Sequence, residues 1–304
     1  MSDKKILVIG SSNTDMVIKA DRLPLPGETV IGGRFFMNPG GKGANQAIAA
    51  ARLGGKVTLI CKTGNDIFGK QSVELFKSEG INTSYLFSDA KNPSGVALIT
   101  VDANGENCIV VASGANASLS PADIEIARAE VEQSNIVLMQ LEIPIETVEF
   151  AAAMASKKGG RVILNPAPAR TLSEKLLKSL YMITPNKVEA EMLSGIKVTD
   201  WESAKRAADV IRAKGVNIVV VTLGSLGALI AENNKYYQVE AYKVDAVDTT
   251  AAGDTFSGAL CVALSEGKSI VDSVKFAAKA SALTVTKMGA QSSIPHRTEL
   301  SVLD

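Results

Sequence analysis

Short apolar runs alternate with helical patterns along the chain, and this alternation constrains the fold more than any other feature. Apolar residues occupy successive positions in each run, which is typical of parallel strands covered on both faces. The segments between the runs have apolar residues at helical spacing. Alternating strands and helices predict a three-layer α/β/α fold with a mostly parallel central sheet. The predicted strands are 6–9, 57–61, 136–139, 162–164, 182–183 and 218–221, and the predicted helices are 44–53, 68–78, 122–133, 145–157, 187–193 and 203–214.

Two regions break this alternation because they contain no helical pattern. Residues 15–20 with 29–37, and residues 95–101 with 107–112, are typical of paired strands joined by turns. We expect a small extra sheet that covers a site on one face and meets a second copy of the chain on the other. Hairpins at the edge of the main sheet are the alternative. The predicted units are an α/β domain of residues 1–14, 38–94 and 113–304 and a β-sheet lid of residues 15–37 and 95–112.

The composition narrows the classes of function. The chain has 304 residues, 46% of them hydrophobic, and a formal net charge of zero. Bulk charge therefore attracts neither nucleic acid nor an anionic membrane. No apolar stretch reaches the ~18 residues that span a bilayer, and the start of the chain lacks the pattern of a cleavable signal. Three scattered cysteines in apolar runs predict reduced thiols in the core of a cytoplasmic protein. The single histidine, His296, excludes histidine triads, so a catalytic base would be a carboxylate.

The segment 247–256 combines a turn of small residues with the start of an amphipathic helix, predicted at Gly253-Asp254. The first turn of a helix presents free N–H groups and the positive end of the helix dipole, here beside the carboxylate of Asp254. This arrangement predicts an anion site next to a base, which suits transfer of a charged group onto a hydroxyl. The alternative is that Asp254 caps the helix. We expect an ordinary pKa of about 4 for Asp254.

Two motifs near the first predicted strand are candidates for binding a small molecule. Asn13 and Asp15 follow that strand and can hydrogen-bond adjacent hydroxyls of one polyol. An Asx turn is the alternative. In the segment 39–46, glycines allow a ligand to approach the backbone, and Lys42 and Asn45 can hydrogen-bond it. The segment lacks the spacing of a Walker A loop, and a plain glycine turn is the alternative.

Further candidate residues follow later strands. Glu142 can contact a substrate or be a solvated surface side chain. Residues 165–168 predict a rigid turn because they contain two prolines. Asn186 and Glu189 have the spacing of a capping box, and the alternative places them near a nucleotide–magnesium complex. Residues 222–227 contain two glycines, a threonine and a serine, which can hold phosphates or form a tight turn.

Taken together, these motifs resemble the ribokinase-like family of carbohydrate kinases over essentially the whole chain. The element Ala-Ala-Gly-Asp-Thr-Phe at 251–256 marks the wider family. The residues that carry the resemblance are Gly10-Ser11-Ser12-Asn13-Thr14-Asp15, Gly40-Gly41-Lys42-Gly43-Ala44-Asn45-Gln46, Leu164-Asn165-Pro166-Ala167-Pro168, Pro185-Asn186-Lys187-Val188-Glu189, Thr222-Leu223-Gly224-Ser225-Leu226-Gly227, Asp248-Thr249-Thr250-Ala251-Ala252-Gly253-Asp254-Thr255 and Gly289-Ala290-Gln291-Ser292-Ser293-Ile294-Pro295.

The resemblance implies ATP-dependent phosphorylation of the 5-hydroxyl of D-ribose to give ribose 5-phosphate and ADP. Asp254 would take the hydroxyl proton, and the backbone N–H groups of Ala251, Ala252 and Gly253 would form an anion hole. Another sugar or a nucleoside as substrate, or a non-catalytic sugar-binding protein, remains open. The positions that match sugar contacts are Asn13, Asp15, Gly41, Lys42, Asn45, Glu142 and Asp254.

The resemblance also implies cofactors and an assembly. Glu189 would act near Mg²⁺, and the extra sheet corresponds to a lid through which family members form homodimers. Ala278 departs from the family pattern because relatives often carry Asn or His there, which leaves the nucleotide preference open. The positions that match nucleotide contacts are Asn186, Thr222, Leu223, Gly224, Ser225, Leu226, Gly227, Gly253 and Ala278. A monovalent cation, usually K⁺, would be bound largely through backbone carbonyls by Asp248, Thr250, Thr284, Lys287, Gly289 and Ser293.

Overall fold

The computed structural model describes residues 5–303. The predicted lack of a cleavable signal falls on residues 1–4, which lie outside the described residues. The strands are β1 (Lys5–Ile9), β2 (Asn13–Lys19), β3 (Arg34–Gly40), β4 (Lys56–Gly64), β5 (Asn82–Asp89), β6 (Gly95–Val101), β7 (Asn107–Ala112), β8 (Ile136–Met139), β9 (Arg161–Leu164), β10 (Met182–Ile183), β11 (Ile218–Thr222), β12 (Ala228–Glu232) and β13 (Lys235–Val239). The helices are α1 (Lys42–Arg52), α2 (Ile67–Ser78), α3 (Pro121–Ile126), α4 (Arg128–Gln133), α5 (Ile145–Lys157), α6 (Glu174–Ser179), α7 (Lys187–Ser194), α8 (Trp201–Ala213), α9 (Ala252–Ser265) and α10 (Ile270–Thr284), with 3-10 turns at Gly114–Ser118, Gly224–Leu226 and Arg297–Leu303.

The central layer is one twisted sheet, as the alternation predicts. Within residues 5–303 its strand order is β13-β12-β11-β10-β9-β8-β1-β4-β5. The strands from β11 to β5 pair in parallel, whereas β12 and β13 extend the sheet as an antiparallel hairpin. The predicted three-layer α/β/α class is confirmed. The alternation does not predict the hairpin, because its strands are not separated by a helix. None of the helices in the described part of the chain is both long and apolar enough to cross a bilayer.

Strand β1 shows why the central strands are apolar on both faces. Ile6 and Val8 pack in one hydrophobic cluster with helices α1, α9 and α10. Leu7 and Ile9 point to the opposite face and pack in a second cluster with helices α5 and α8. All four side chains are fully buried. Successive side chains of a strand alternate between faces, so both faces must be apolar when helices cover both.

The topology places a ligand site beside β1. The strands β4 and β5 follow on one side of β1, and β8 to β11 follow on the other. Successive strands are therefore added on one side of β1 up to β5 and on the other side from β8 onward. This reversal of strand order makes the carboxyl ends of β1 and β8 a topological switch point. Ser11 and Glu142 come just after these two ends.

Helices α1 and α9 pack closely because small residues line their contact. A Cβ on Gly258 would come within 2.6 Å of the backbone oxygen of Gln46 and within 2.8 Å of Cβ of Ala49. Only glycine permits this approach. The close packing brings the first turn of α1 next to the first turn of α9, and this contact builds the site described below.

Two predicted elements differ from the structure. The predicted helix 122–133 is two helices, α3 and α4, because Ala127 between them leaves the helical region with φ −91° and ψ 10°. The predicted strand 29–37 begins only at Arg34, since Gly32 and Gly33 before it have φ values of 115° and 96°, which are incompatible with extended strand. The predicted strand pair 95–101 and 107–112 is confirmed.

A second sheet of four strands lies apart from the central sheet, in the order β3-β2-β6-β7. Its outer pairs are antiparallel, and the middle pair β2–β6 is parallel. The alternative of hairpins at the edge of the main sheet is therefore wrong. The sheet extends to Asn13 and Gly40, beyond the boundaries that the sequence predicts. The end of the sheet that contains these two residues, its inner end, therefore carries site residues.

Candidate active site

The carboxylate of Asp254 lies at the start of α9 and is held by two side chains of α1. The side-chain amide of Asn45 donates to its Oδ2 at 2.9 Å, and that of Gln46 donates to its Oδ1 at 2.9 Å. Helix α9 begins at Ala252, one residue before the predicted start, and Asp254 makes no capping hydrogen bond among the residues that the structure describes. The alternative of a helix cap is therefore wrong.

Burial raises the pKa of Asp254. Attraction to Lys42 and the hydrogen bonds from Asn45 and Gln46 lower the pKa, and repulsion by Glu142 raises it, but burial outweighs the lowering effects. The expectation of an ordinary pKa is wrong because helix α1 withdraws this carboxylate from water. A carboxylate with a raised pKa is a stronger base, which suits it to accept a proton from a hydroxyl group.

The first turn of α9 offers free backbone donors. Ala251 precedes it with a φ of 60°, a conformation that costs free energy for a residue with a Cβ and is typical of functional sites. The N–H of Ala252 donates to the carbonyl of Thr249 at 3.3 Å, whereas the N–H groups of Ala251, Gly253 and Asp254 have no acceptor within residues 5–303. A Cβ on Gly253 would meet no atom within 4 Å. The turn thus opens onto free space, as an anion site requires.

The side chain of Lys42 lies among four carboxylates. Burial lowers the pKa of Lys42, but attraction to Asp254, Glu142, Glu189 and Asp15 raises it, and the net shift is upward. Lys42 therefore keeps its charge. Its charge offsets part of the repulsion that these carboxylates exert on one another.

The carboxylate of Asp15 accepts no hydrogen bond from the part of the chain that the structure describes. Burial, followed by repulsion from Glu142 and Asp254, raises the pKa of Asp15 to about 6, against attraction to Lys42. No hydrogen bond within the described residues contributes to the shift. The carboxylate lies against Gly40, where a Cβ would come within 2.3 Å of Oδ2. Both oxygens are thus available to hydroxyl groups of a ligand.

Glu142 joins the end of β1 to the start of α1. Its Oε2 accepts a hydrogen bond from Oγ of Ser11 at 2.6 Å and one from the backbone N–H of Lys42 at 3.0 Å. Glu142 is half-buried. The alternative of a solvated surface side chain is therefore wrong. Oε1 of Glu142 accepts no hydrogen bond from the described residues, so it is available to a ligand.

Asn13 and the glycine-rich segment meet at the inner end of the second sheet. Oδ1 of Asn13 accepts a hydrogen bond from Nδ2 of Asn116 at 2.7 Å, and Asn13 lies in strand β2, so the Asx-turn alternative is wrong. Gly41 has a φ of 89°, and a Cβ there would come within 2.7 Å of the backbone nitrogen of Asn13. Because Gly40 ends β3 and Lys42 begins α1, these glycines join two elements at close approach and do not form a plain turn.

A cavity of about 740 Å³ opens beside the start of α9. The starts of α7 and α9, the 222–227 segment and helix α10 line it. Leu226 faces a neighbouring cavity of about 640 Å³, and Glu189 lines neither. The predicted nucleotide-contacting residues that line the larger cavity are Asn186, Thr222, Leu223, Gly224, Ser225, Gly227, Gly253 and Ala278.

Asn186 and Glu189 form the predicted capping box of α7. Oδ1 of Asn186 accepts a hydrogen bond from the N–H of Glu189 at 2.9 Å, and Oε2 of Glu189 accepts one from the N–H of Asn186 at 2.8 Å. Burial raises the pKa of Glu189, against the lowering effect of the Asn186 hydrogen bond. The capping prediction is confirmed, and it leaves Asn186 at the cavity wall.

Three of the predicted cation residues are in direct contact. Oδ1 of Asp248 accepts hydrogen bonds from the N–H of Thr250 at 2.9 Å and from its hydroxyl at 2.6 Å, and Oδ2 accepts one from the N–H of Gly289 at 2.9 Å. Burial raises the pKa of Asp248, but these hydrogen bonds lower the pKa by a larger amount, so the net shift is downward. An ionised Asp248 thus ties the turn before α9 to the segment after α10.

The other predicted cation residues differ in their surroundings. Thr284 and Ser293 are fully buried. Nζ of Lys287 pairs with Glu299 at 2.5 Å, so its charge is partly neutralised. Within residues 5–303, no group of three or more His, Cys, Asp or Glu side chains could hold a metal ion.

Two residues of the site are not among the predicted site residues. Ser11 holds Glu142, and Gln46 holds Asp254. Both lie within motifs that carry the family resemblance. Gln46 contacts Asp254 across 208 residues of sequence, so only the packing of α1 on α9 reveals its partner.

Comparison with known proteins identifies the class. Residues 3–297 match the pfkB family of carbohydrate kinases. The chain belongs to this family, which confirms the resemblance.

Individual relatives are similar over nearly the whole chain. A ribokinase from Haemophilus influenzae is 46% identical over 296 residues, which cover 97% of each chain. A deoxyribokinase from Salmonella typhimurium is 39% identical over 291 residues, which cover 95% of each chain. The structure of Arabidopsis thaliana ribokinase complexed with ribose and ATP has a TM-score of 0.91 and 34% identity, over 100% of this chain and 99% of that chain.

Proposed function

We propose that the chain catalyses ATP-dependent phosphorylation of D-ribose at the 5-hydroxyl, giving ribose 5-phosphate and ADP. The observation that carries the proposal is the position of Asp254. Its carboxylate interacts electrostatically with Asp15, Lys42 and Glu142, and the preceding residue, Gly253, lines the large cavity. The relatives named ribokinase favour ribose as the sugar.

Asp254 acts as the general base in this proposal. It accepts the proton of the 5-hydroxyl as that oxygen attacks the terminal phosphorus of ATP. Asn45 and Gln46 fix the carboxylate through both oxygens. A positioned base contributes about 10²–10⁴ in rate.

The sugar binds between the second sheet and the start of α1. Asp15 and the free oxygen of Glu142 accept hydrogen bonds from sugar hydroxyls, and Lys42 donates to the sugar. Gly41 leaves room for it at the backbone. The same set includes Asn13 and Asn45. Among the described residues, the NH₂ group of Asn13 and one N–H of the Asn45 amide have no acceptor, so they can bind the sugar.

The nucleotide occupies the large cavity. Its terminal phosphates lie at the start of α9. There the N–H groups of Ala251, Ala252 and Gly253 stabilise the charge of the transferring group. The N–H of Ala252 is shared between this group and the carbonyl of Thr249. Phosphoryl transfer requires alignment and charge stabilisation more than covalent chemistry. The small Ala278 leaves space at the cavity wall for a purine base.

Mg²⁺ fits this site as a metal held mainly by the nucleotide. The described residues contain no cluster of metal-ligating side chains, and Mg²⁺ commonly binds through substrate phosphates, waters and one or two carboxylates. Glu189 is the nearby carboxylate in this proposal. Bound Mg²⁺ would neutralise phosphate charge.

K⁺ fits the segment around Asp248. The lowered pKa of Asp248 keeps it ionised, and the hydrogen bonds that it accepts from the N–H groups of Thr250 and Gly289 bring these two segments together at that charge. Thr284, Lys287 and Ser293 complete the proposed set. Because Thr250 leads directly into the first turn of α9, a bound cation would order the anion site. Equal rates in K⁺ buffer and in a buffer of a bulky organic cation would contradict this role.

We propose further that the second sheet is a lid, comprising residues 15–37 and 95–112, and that it pairs with a second copy of the chain. Strand β7 is exposed along its whole length, and Val110 is 69% exposed although apolar. Apolar patches of this kind are typical of protein interfaces. Light scattering that gives a monomer mass would contradict the homodimer. The three free cysteines support a cytoplasmic location. Cys61 and Cys261 are buried, whereas Cys108 is exposed, so the prediction of a core thiol is wrong for Cys108.

A substrate panel with coupled ADP detection tests the proposal. The panel contains D-ribose, 2-deoxyribose, fructose and a nucleoside. We expect ribose to give the highest kcat/KM, because Asp15 is free to bind two hydroxyls and deoxyribose lacks one of them. Deoxyribose is the second candidate, favoured by the deoxyribokinase relative. A higher kcat/KM for any other compound than for ribose would refute the assignment of the sugar, and absence of ADP with all of them would refute the kinase itself.

A further inference from the structure

A chain of buried amide side chains stands behind Asp254. Nε2 of Gln46 donates to Oδ1 of Asp254 at 2.9 Å and to Oδ1 of Asn165 at 3.1 Å. Oε1 of Gln46 accepts a hydrogen bond from Nε2 of Gln140 at 2.5 Å. Nδ2 of Asn165 donates to the carbonyl of Thr184 at 3.3 Å. The chain thus connects the carboxylate at the start of α9 to the ends of strands β8, β9 and β10.

This chain fixes which way the amide of Gln46 points. A reversed amide would place Oε1 of Gln46 against the oxygens of Asp254 and Asn165, and its NH₂ group against the NH₂ group of Gln140. Each of these contacts pairs like groups. Gln140 and Asn165 therefore hold Gln46 with both of its N–H groups committed.

Gln140 carries a cost that stability does not explain. Its Oε1 is buried and has no hydrogen-bond partner within residues 5–303. A buried acceptor without a partner destabilises a fold, and such groups in native proteins often have a functional explanation. The Oε1 of Gln140 thus stays without a partner while the NH₂ group of the same side chain donates to Gln46.

We propose that Gln46, held by Gln140 and Asn165, is a positioning residue that fixes the Asp254 carboxylate and favours its charged form. The inference rests on the proposed function, because it requires Asp254 to act as a base. Gln46 is fully buried, so it acts through Asp254 and not by touching the sugar. In this respect it differs from its neighbour Asn45, which matches a sugar-contacting position.

The charged groups around Asp254 define what the experiment must separate. Lys42, Glu142, Asp15 and Glu189 interact with it electrostatically. Gln46 makes no hydrogen bond to any of these four groups. Loss of its N–H groups therefore changes the titration of Asp254 and leaves the other carboxylates with their present partners.

The test is the pH dependence of kcat/KM for ribose in Gln46→Met and Gln140→Met. Methionine has a similar length but no N–H donor. We expect the acid limb of Gln46→Met to move up by about one pH unit, since a hydrogen bond to a charged group has that magnitude. Its kcat/KM should fall about tenfold on the acid side and recover as the pH rises. Gln140→Met should move the limb in the same direction by a smaller amount.

Two further measurements separate positioning from a general structural effect. Ribose affinity, measured by calorimetry without nucleotide, should change less than about twofold in both variants, because neither residue contacts the sugar. Leu176→Ala, in the hydrophobic cluster on the far side of the sheet, should lower the thermal midpoint and leave the acid limb unchanged. If Gln46→Met does not fold, Gln140→Met decides the question.

An acid limb that stays at its wild-type pH in both variants, with rates reduced equally at every pH, would overturn the inference. A loss of ribose affinity as large as the loss of rate would also overturn it. The failure of the proposed function is distinguishable, because Asp254→Asn would then retain turnover. An inactive Asp254→Asn together with an unmoved limb in the glutamine variants would contradict only the role of Gln46.

Discussion

Asp15 provides a quantitative prediction, because the folded protein holds its carboxylate at a cost. The pKa of Asp15 is raised from 3.8 to about 6 by burial and by repulsion from Glu142 and Asp254. The folded state therefore binds this proton more tightly than the unfolded state. The stability of the ligand-free protein should fall as the pH rises from below 3.8 to above 6.

The size of this cost follows from the pKa change. At about 1.4 kcal/mol per pH unit, the ionised carboxylate destabilises the fold by about 3 kcal/mol near neutral pH. The side chain makes no hydrogen bond within the described residues that a substitution would break. Asp15→Asn removes the charge and keeps the shape. We expect the variant to be more stable than wild type by about 3 kcal/mol at about pH 7.5 and by about 1 kcal/mol at about pH 4.5.

Urea unfolding of both proteins at the two pH values, without ligand, measures the difference. Asp21→Asn, an exposed substitution at the end of the same strand region, is the matched control and should change stability little at either pH. Asp15→Asn should also weaken ribose binding, because the amide replaces one of the two carboxylate oxygens that accept hydrogen bonds from the sugar. Residues that bind ligands commonly cost stability in this way. An Asp15→Asn variant that is no more stable than wild type near neutral pH, or whose advantage does not shrink in acid, would refute the reasoning.

Three further predictions concern the site. Gly253→Ala places a methyl group in the open space at the first turn of α9. We expect kcat to fall by about tenfold or more, while urea unfolding shows unchanged or slightly higher stability. A wild-type kcat would contradict the anion site. Lys42→Met removes the charge that offsets the surrounding carboxylates, so the acid limb of kcat/KM should move to higher pH in rate profiles, and an unmoved limb would contradict that role. Arg52 donates to the carbonyls of Gln291 at 2.6 Å and Ile294 at 2.9 Å. Arg52→Lys should loosen the segment after α10 and raise the K⁺ concentration for half-maximal activation. An unchanged K⁺ titration would contradict the role of Arg52 in holding this segment.

The fold follows largely from local sequence pattern. The strands of the central sheet are apolar at successive positions because helices cover both faces, and this signal is visible without knowledge of the neighbours. The start of α9 beside Asp254 follows from helical spacing in the same way. The hairpin β12–β13 and the parallel pair β2–β6 are less visible, because edge strands and register depend on partners far away in sequence.

The chemistry of the site depends on contacts that the sequence does not show. The pKa of Asp254 is raised because α1 packs over it, and the pKa of Asp15 is raised by burial and by the two other carboxylates nearby. Both pKa shifts come from burial and from charges that lie close together in space, although the residues that carry these charges are far apart in the chain. Gln46 illustrates the same limit, since its motif is recognisable but its partner becomes visible only when α1 and α9 meet.

The most direct test of the account is the turnover of Asp254→Asn with ribose and ATP. The variant should fold, bind ribose by calorimetry with an affinity close to that of wild type, and lose at least about 10² in kcat, the usual magnitude for removal of a general base. Near-wild-type kcat in a folded variant that binds ribose would contradict the account, because the proton would then be accepted by another group.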